Sequence, residues 1–425
     1  MHHPRRLALA VASVFVCASL TAQVPPRRDR EPPRDSRPRP DDDSPPNDRD
    51  RREIEFRSYD GSGNNPREDD MGAAHARLVR ALPSDYADDV SALAGSTRPS
   101  PRAISNAVAA QNESLENELG ASDFLWQWGQ FLDHDIDLTH ETDPPEAAPI
   151  LVPTGDPFFD PQGTGIETIL LHRSIFDPET GTGPDNPREQ VNSITAWIDA
   201  SNVYGSGDER ARALRTLDGT GQLRTSAGDL LPFNTEGLDN AGGPDPSLFL
   251  AGDIRANEQV GLIVLHTLFV REHNRLAREL ADRNPGMSGE DIYQRARSIV
   301  AGEMQVITYR EYLPELMGRR ALDPYRGYDP DVDAGIRNIF STACYRYGHS
   351  ALSPTLLRLD ENGDDIPEGS LGLRDAFFRP DRVVNEGGLD PILRGLASQA
   401  CQTIDPYVID DVRNFLFGPP GAGGF

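Results

Sequence analysis

No lysine occurs anywhere in the 425 residues: every one of the 42 basic side chains is arginine. That absence removes Schiff-base catalysis and the phosphate-binding lysine of nucleotide loops from consideration. Basic charge is scarce altogether, 42 basic residues facing 68 acidic ones for a formal net charge of −26. A chain of that sign repels phosphate backbones and anionic lipid, which argues against nucleic acid as a partner. Cysteine is almost missing as well, Cys17, Cys344 and Cys401 being the whole complement. A disulfide framework is therefore excluded, and stability must come from packing or from a bound cofactor or ion. Cys344 and Cys401 are expected as buried thiols, a single bridge being the alternative. No transmembrane segment is expected, because the apolar run Leu7 to Leu20 has 14 residues, short of the roughly 20 that a spanning helix requires.

What is present divides the chain into three stretches. Arg5 and Arg6, the apolar run after them and a cleavage site at Leu20-Thr21-Ala22 read as an export signal over residues 1–22. The product is expected to be secreted, or periplasmic in a bacterium. From Gln23 to Glu53 the sequence is Pro, Arg and Asp with almost nothing apolar, which cannot offset the entropy of ordering and is expected to form a solvated linker over 23–53. Residues 54–425 carry apolar side chains at helical spacing between Gly/Pro/Asp loops, and 37% hydrophobic content suffices for a sizeable core. Helices are expected at Ser122–His134, Val260–Asn284, Glu290–Met317 and Ala334–Gly348. Strand patterns are few and short, so the expected fold class is mainly α.

The densest stretch, Asp123 to Glu141, places Phe124, Trp128, Phe131 and Leu132 on one helical stripe, with Gln127, Gln130 and His134 on a neighbouring face. An imidazole and two amides then share one cavity wall, unless the segment is only a polar helix end. Asp133 and Asp135 flank His134 and point apart, so one can face the cavity while the other serves something behind it. In Thr195-Ala-Trp-Ile-Asp-Ala-Ser201, an extended chain projects Thr195, Trp197, Asp199 and Ser201 to one side. Their hydroxyl, carbonyl and carboxylate oxygens suit Ca²⁺, although the segment alone reads more simply as a half-buried strand with polar ends. Arg255 and Glu258 stand three residues apart where a helix begins, the spacing of a surface ion pair. Arg346-Tyr-Gly-His349 sets a histidine where a helix loosens beside glycine, more often a packing residue than a ligand. His266 and His273 share a helix face and read as buried polar packing, since no cysteine or acid completes a tetrahedral set. Asp360, Asn362 and Asp364 begin like an EF-hand loop, but Asp365 and Leu371 occupy the positions of its glycine and closing glutamate.

Taken together, these segments resemble the animal haem peroxidases of the peroxidase–cyclooxygenase superfamily. Matching phrases follow in order along most of the body: Tyr59-Asp-Gly, Trp128-Gly-Gln-Phe-Leu-Asp-His-Asp135, Asp199-Ala-Ser-Asn-Val-Tyr-Gly205, Ala251-Gly-Asp with Arg255, Arg271-Glu-His-Asn-Arg275, Ile307-Thr-Tyr-Arg-Glu-Tyr-Leu-Pro314, Arg346-Tyr-Gly-His349 and Gly387-Gly-Leu-Asp-Pro-Ile-Leu393. Their order and spacing make the match specific where no single motif would be. The resemblance implies a helical haem peroxidase domain with haem b and Ca²⁺ as cofactors. Hydrogen peroxide would be the oxidant, and a halide or small phenolic compound the electron donor. By position it makes His134 the distal histidine, Arg255 the distal arginine and Gln130 their neighbour near the halide or water site. His349 becomes the proximal iron ligand and Arg346 a residue at the haem edge, while Asp133 and Glu258 match carboxylates that form ester links to haem methyl groups. Asp135, Thr195, Trp197 through its carbonyl, Asp199 and Ser201 match the calcium ligands.

The sequence also departs from that pattern. Gly63 stands where many members have cysteine, so an early family disulfide is not expected. Gln259 stands where some carry a methionine bonded to haem, so strong chloride oxidation is not expected. Pro419 to Phe425 come where relatives continue into a segment bearing the asparagine that accepts from the proximal histidine. The domain is therefore expected to be C-terminally incomplete, with no evident partner for His349. Two rival readings are a calcium-bound extracellular relative that has lost haem, and a metal-dependent hydrolase built on His134-Asp135 with His266 and His273.

Overall fold

The computed structural model describes residues 56–415; the expected export signal and linker lie outside them. Among the described residues, those from Arg57 onward belong to one structural unit. Helix α1, Pro101–Val108, starts at Ser100, whose hydroxyl accepts from Ala103 N at 3.1 Å. Helix α2 is Phe124–Ile136. Strands β1, Ile150–Leu151, and β2, Thr168–Ile169, pair antiparallel with Ile150 opposite Ile169. Short helices α3, Ser201–Tyr204, and α4, Asp208–Ala213, lead to the two long ones, α5, Val260–Arg283, and α6, Gly289–Ile307. A π-helical turn, Thr308–Tyr312, runs into α7, Leu313–Met317. Helix α8, Asn338–Thr342, a 3₁₀ turn at Cys344–Arg346 and α9, Gly348–Ala351, follow. Strands β3, Thr355–Leu356, and β4, Leu371–Gly372, form a second antiparallel pair before α10, Asp381–Asn385, α11, Asp390–Ser398, and α12, Asp410–Arg413. The fold is mainly α with little β, as expected.

Helix α2 is buried on nearly every side, so its neighbours rather than solvent hold it. Phe131 stacks on Phe269 of α5 at a centroid distance of 5.3 Å and meets the edge of His266 at 4.9 Å. Burying an aromatic side chain of this kind contributes about 3–5 kcal/mol relative to alanine. The last carbonyls of α2, which the helix itself leaves unpaired, are satisfied from outside: Ser201 Oγ donates to Asp135 O at 2.8 Å and Asn192 Nδ2 to Ile136 O at 2.8 Å. Helix α5 is capped by Gln259, whose side-chain oxygen accepts from Gly261 N at 2.6 Å. Helix α6 opens on Ser288, with Glu290 and Asp291 in the first turn where the helix dipole favours acids.

Several local expectations change. The segment expected as one helix at Glu290–Met317 is helical throughout but passes through the π turn just before Pro314. Proline has no N–H to give and its ring crowds the carbonyl four residues back, so the turn widens there. The helix expected over Ala334–Gly348 is instead three short turns. Ala343 leaves helical geometry at φ −137°, ψ −59°, and the Ser341 carbonyl accepts from the Arg346 side chain at 2.7 Å. Cys401 is a buried thiol, but Cys344 is exposed and neither is bridged. His266 and His273 are buried packing residues: His266 Nδ1 bonds the Leu262 carbonyl at 2.8 Å, and His273 bonds Tyr204 Oη and the Gly221 carbonyl, each at 2.9 Å.

Candidate active site

Two close approaches bring the site together. Gly252 packs so tightly on the backbone of Ser201 and Gly205 that any side chain would collide, which draws the loop carrying Asp253 and Arg255 against the start of α3. On α2, a Cβ at Gly129 would lie 2.7 Å from Tyr347 Oη and 2.9 Å from Tyr312 Oη. The bare glycine thus lets the Tyr345–His349 segment reach the helix. Between these elements lies a cavity of about 390 Å³, lined by Trp126, Gln130, Asp133 and His134 of α2, by Arg255, Glu258 and Gln259, and by Tyr345 to His349, with Leu352, Phe377 and Phe378 among its apolar walls. That volume and its apolar lining are those of a small-molecule or cofactor pocket.

The histidines, arginines and carboxylates interlock. Arg255 Nε donates to Asp253 Oδ1 at 2.8 Å and Nη2 to Oδ2 at 2.9 Å. Arg255 is therefore not the surface partner of Glu258 suggested by spacing; it is largely buried and held by Asp253. Glu258 accepts instead from Gln130 Nε2 at 3.3 Å, and Gln130 Oε1 accepts from Gln259 at 3.2 Å. Gln127 does not share the cavity wall: fully buried behind it, it takes a 2.6 Å hydrogen bond from Gln259. Arg346 reaches from its 3₁₀ turn to α2, donating to Asp133 Oδ2 at 2.9 Å and Asp137 Oδ2 at 3.0 Å. His349 is exposed to the cavity it lines and makes no hydrogen bond among the described residues.

Burial sets the protonation states. It pushes the His134 pKa well below the usual value, reinforced by the nearby Arg255 charge, so His134 is neutral. Desolvation by the surrounding cavity walls, and then the Arg346 charge, also lower that of His349, although its ring opens onto the cavity. Desolvation pushes Glu258 up to about 7 and Asp133 up to about 6, with Arg255 and Arg346 opposing. Burial alone would weaken the Arg255 charge, but the Asp253 carboxylate outweighs it and raises the arginine pKa.

Behind α2 lies the oxygen-rich loop. Asp135 turns away from Asp133, as expected, and accepts from Ala200 N at 3.3 Å, Asn202 N at 3.2 Å and Ser201 Oγ at 3.2 Å. Asp199 accepts from Thr195 Oγ1 at 3.2 Å and Ser201 N at 3.1 Å. The loop is not extended throughout, because Ala200 adopts φ 65° and Ser201 opens α3. Trp197 directs its indole N–H to the Met71 carbonyl at 3.2 Å, and no donor among the described residues reaches its own carbonyl. Both carboxylates are fully buried; desolvation raises Asp199 to about 7 and Asp135 well above its usual range, where the neighbouring Asp199 charge adds to the effect. Two buried like-charged carboxylates with hydroxyls and a free carbonyl form a donor set that a hard divalent cation would neutralise.

The family model of the animal haem peroxidase matches residues 56–425. The chain belongs to the animal haem peroxidase family. It is 40% identical over 389 residues to the peroxidasin homolog of Mus musculus, covering 80% of this chain and 26% of that protein. Peroxinectin A of Dictyostelium discoideum is 36% identical over 384 residues, covering 87% of this chain and 70% of that one. Among solved structures, peroxidase A from Dictyostelium discoideum superposes with a TM-score of 0.80 at 34% identity, over 87% of this chain and 73% of its own. The chain thus spans only about a quarter of the peroxidasin homolog, 26% of its length.

Within this animal haem peroxidase domain, the residues expected for haem and peroxide chemistry, His134, Arg255, Gln130, Asp133, Glu258, Arg346 and His349, all line the one cavity. Asp133 Oδ1 is a buried oxygen with no partner; together with the unbonded His349 ring and the apolar walls, it fits a prosthetic group that would take an imidazole and a carboxylate from the protein. The hydrolase alternative fails on geometry. His266 and His273 are occupied by backbone and tyrosine, Asp135 faces Ala200 to Asn202, and among the described residues no three His, Cys, Asp or Glu side chains converge as a metal site. Sequence reasoning assigned no role to Asp253 or Asp137, although Asp253 lies inside the matching phrase Ala251-Gly-Asp. Both are carboxylates that pair with arginines of the site: Asp253 with Arg255 two residues on, and Asp137 with Arg346, far away in sequence.

Proposed function

We propose that the protein is a secreted haem peroxidase that reduces hydrogen peroxide and oxidises a halide or a small phenolic donor. The observation that carries this reading is that His134, Arg255 and His349 open onto one cavity. His349 would hold the haem iron, and bound haem would supply the oxidising chemistry. The rest falls to the chain. Neutral His134 accepts a proton from hydrogen peroxide and returns it to the leaving oxygen, turning a poor leaving group into water. Arg255 stabilises the negative charge that develops along the breaking bond. Gln130, its oxygen taken by Gln259, presents its N–H groups toward Glu258 and the cavity, a donor for water or an anionic substrate. Asp133 and Glu258 are the carboxylates for ester links to haem. Asp135, Thr195, Asp199, Ser201 and the Trp197 carbonyl would bind Ca²⁺, which fixes the end of α2 one residue from His134.

The test is to express the chain from Gln23, supply haem, and record the Soret band and peroxide-dependent oxidation of phenol or iodide. His349→Ala should abolish haem ligation. His134→Ala should keep the haem and lose turnover by a factor on the order of 10²–10⁴. Calcium binding without any Soret band would favour the haem-less relative instead.

A further inference from the structure

We propose that Asp253 is a positioning residue for the peroxide-facing pair: it selects which nitrogen of Arg255 is free for the cavity and which nitrogen of His134 carries the proton. An arginine side chain has five N–H bonds in a rigid fork. Asp253 takes the one on Nε at 2.8 Å and one on Nη2 at 2.9 Å, and the Asp137 carbonyl takes the other Nη2 proton at 2.9 Å. The Arg255 backbone N–H closes on the same Asp253 carboxylate at 2.8 Å. Nη1 is left with a single long contact, 3.5 Å to Asp133 Oδ2. The donor available to substrate oxygen is therefore Nη1, and the carboxylate behind the guanidinium makes it so.

The same carboxylate stands behind His134. Its Oδ1 is 3.6 Å from His134 Nδ1, a buried nitrogen without a hydrogen bond, whereas Nε2 lies 3.8 Å from Glu258 Oε2. A fixed negative charge beside Nδ1 favours the tautomer protonated there, leaves the Nε2 lone pair to accept the peroxide proton, and stabilises the imidazolium that results. The proton balance is closed: it leaves the peroxide oxygen for Nε2 and goes on to the departing oxygen. Asp253 is 3% exposed, and Arg255 keeps its pKa far below the usual range despite burial. The close packing of Gly252 on Ser201 and Gly205 holds the loop so that this carboxylate cannot swing away.

This inference rests on the haem peroxidase reading, and its test separates the two. Haem-loaded Asp253→Asn keeps shape and an acceptor oxygen but loses the charge. Its association with hydrogen cyanide, followed by the Soret shift, needs no turnover; hydrogen cyanide must lose its proton to bind ferric haem, so the rate reports His134 and Arg255. Haem uptake should be unchanged, while cyanide association and kcat/KM for hydrogen peroxide fall together by about 100-fold and the donor step stays as in the unmodified protein. Unchanged cyanide association in the haem-loaded variant overturns the role of Asp253 and leaves the peroxidase reading standing; no Soret band in the unmodified protein overturns both. If Asp253→Asn does not fold, Arg255→Gln is compared with Asp253→Asn/Arg255→Gln, which removes both charges at once. The double variant should bind cyanide more slowly than the single one, because only the carboxylate behind His134 differs. Equal rates overturn the proposal.

Discussion

Gly129→Ala sets helix propensity against packing, and the geometry decides the sign. Alanine in place of glycine inside a helix is favourable by about 1 kcal/mol. At this position, however, the new Cβ would sit 2.7 Å from Tyr347 Oη and 2.9 Å from Tyr312 Oη. Ordinary contact between such atoms needs roughly 3.5 Å, so each ring must retreat by more than half an ångström. The rings are not free to do so, since Tyr312 Oη is bonded to Tyr347 Oη at 2.5 Å and to Tyr345 Oη at 3.1 Å. Overpacking costs about 1–3 kcal/mol, and a lost hydroxyl hydrogen bond adds about 1 kcal/mol. The net expectation is destabilisation by about 1–3 kcal/mol. Because Tyr347 is two residues from His349, haem affinity should weaken as well. Gly302→Ala on α6 is the control, for a Cβ there meets nothing within 4 Å and only the propensity gain remains. Calorimetry of both variants, with and without haem, should move Tm in opposite directions. A Gly129→Ala protein as stable as Gly302→Ala would show that the tyrosine cluster yields freely and would refute the reasoning.

Chelation of calcium should lower Tm and then turnover, before any haem is lost. The pH dependence has a definite sign: with folded pKa values raised, about 7 for Asp199 and well above normal for Asp135, the metal-free fold binds more protons than the unfolded chain above about pH 4, so it loses stability as pH rises toward 7. A chelated sample whose Tm climbs between pH 5 and 7 would contradict the assignment. Gln259→Leu removes the cap of α5 and should cost about 1 kcal/mol in urea unfolding, while freeing Gln130 to rotate; unchanged iodide kinetics would show that Gln130 needs no such hold. Arg102→Ala leaves Asp156 buried without its 2.6 Å partner and should cost about 3–5 kcal/mol. Burial notwithstanding, Arg102, Asn106 and the Phe159 N–H hold the Asp156 pKa well below the usual range. This contribution is therefore present at neutral pH and lost as pH falls through that depressed value, and acid titrations of the two proteins should converge.

Periodicity was sufficient wherever a helix is decided by its own residues. Helix α5 begins at the expected Val260 and ends one residue before the expected Asn284, and α2 lies within two residues of expectation at either end. It was insufficient between Ala334 and Gly348, where Arg346 bonds the nearby Ser341 carbonyl and also Asp133 and Asp137, two partners far away in the chain. The opposite facings of Asp133 and Asp135 followed from helix geometry alone. That Arg255 turns inward to Asp253 rather than outward to Glu258 did not, because burial is a property of the assembled loop.

Residues 133 to 137 serve in succession the cavity, the cavity again, the oxygen-rich loop, the core and the Arg346 anchor. Each step along α2 turns a side chain by about 100°, so the duties of residues 133–136 are assigned by angle and that of Asp137 by where the helix stops. A substitution here removes one duty, whereas inserting or deleting a single residue upstream within the helix would rotate all of them onto the wrong neighbours together. Variation in the length of this helix is therefore far less tolerable than variation in its composition, and grafting the site onto another scaffold would require carrying the whole turn as one unbroken piece.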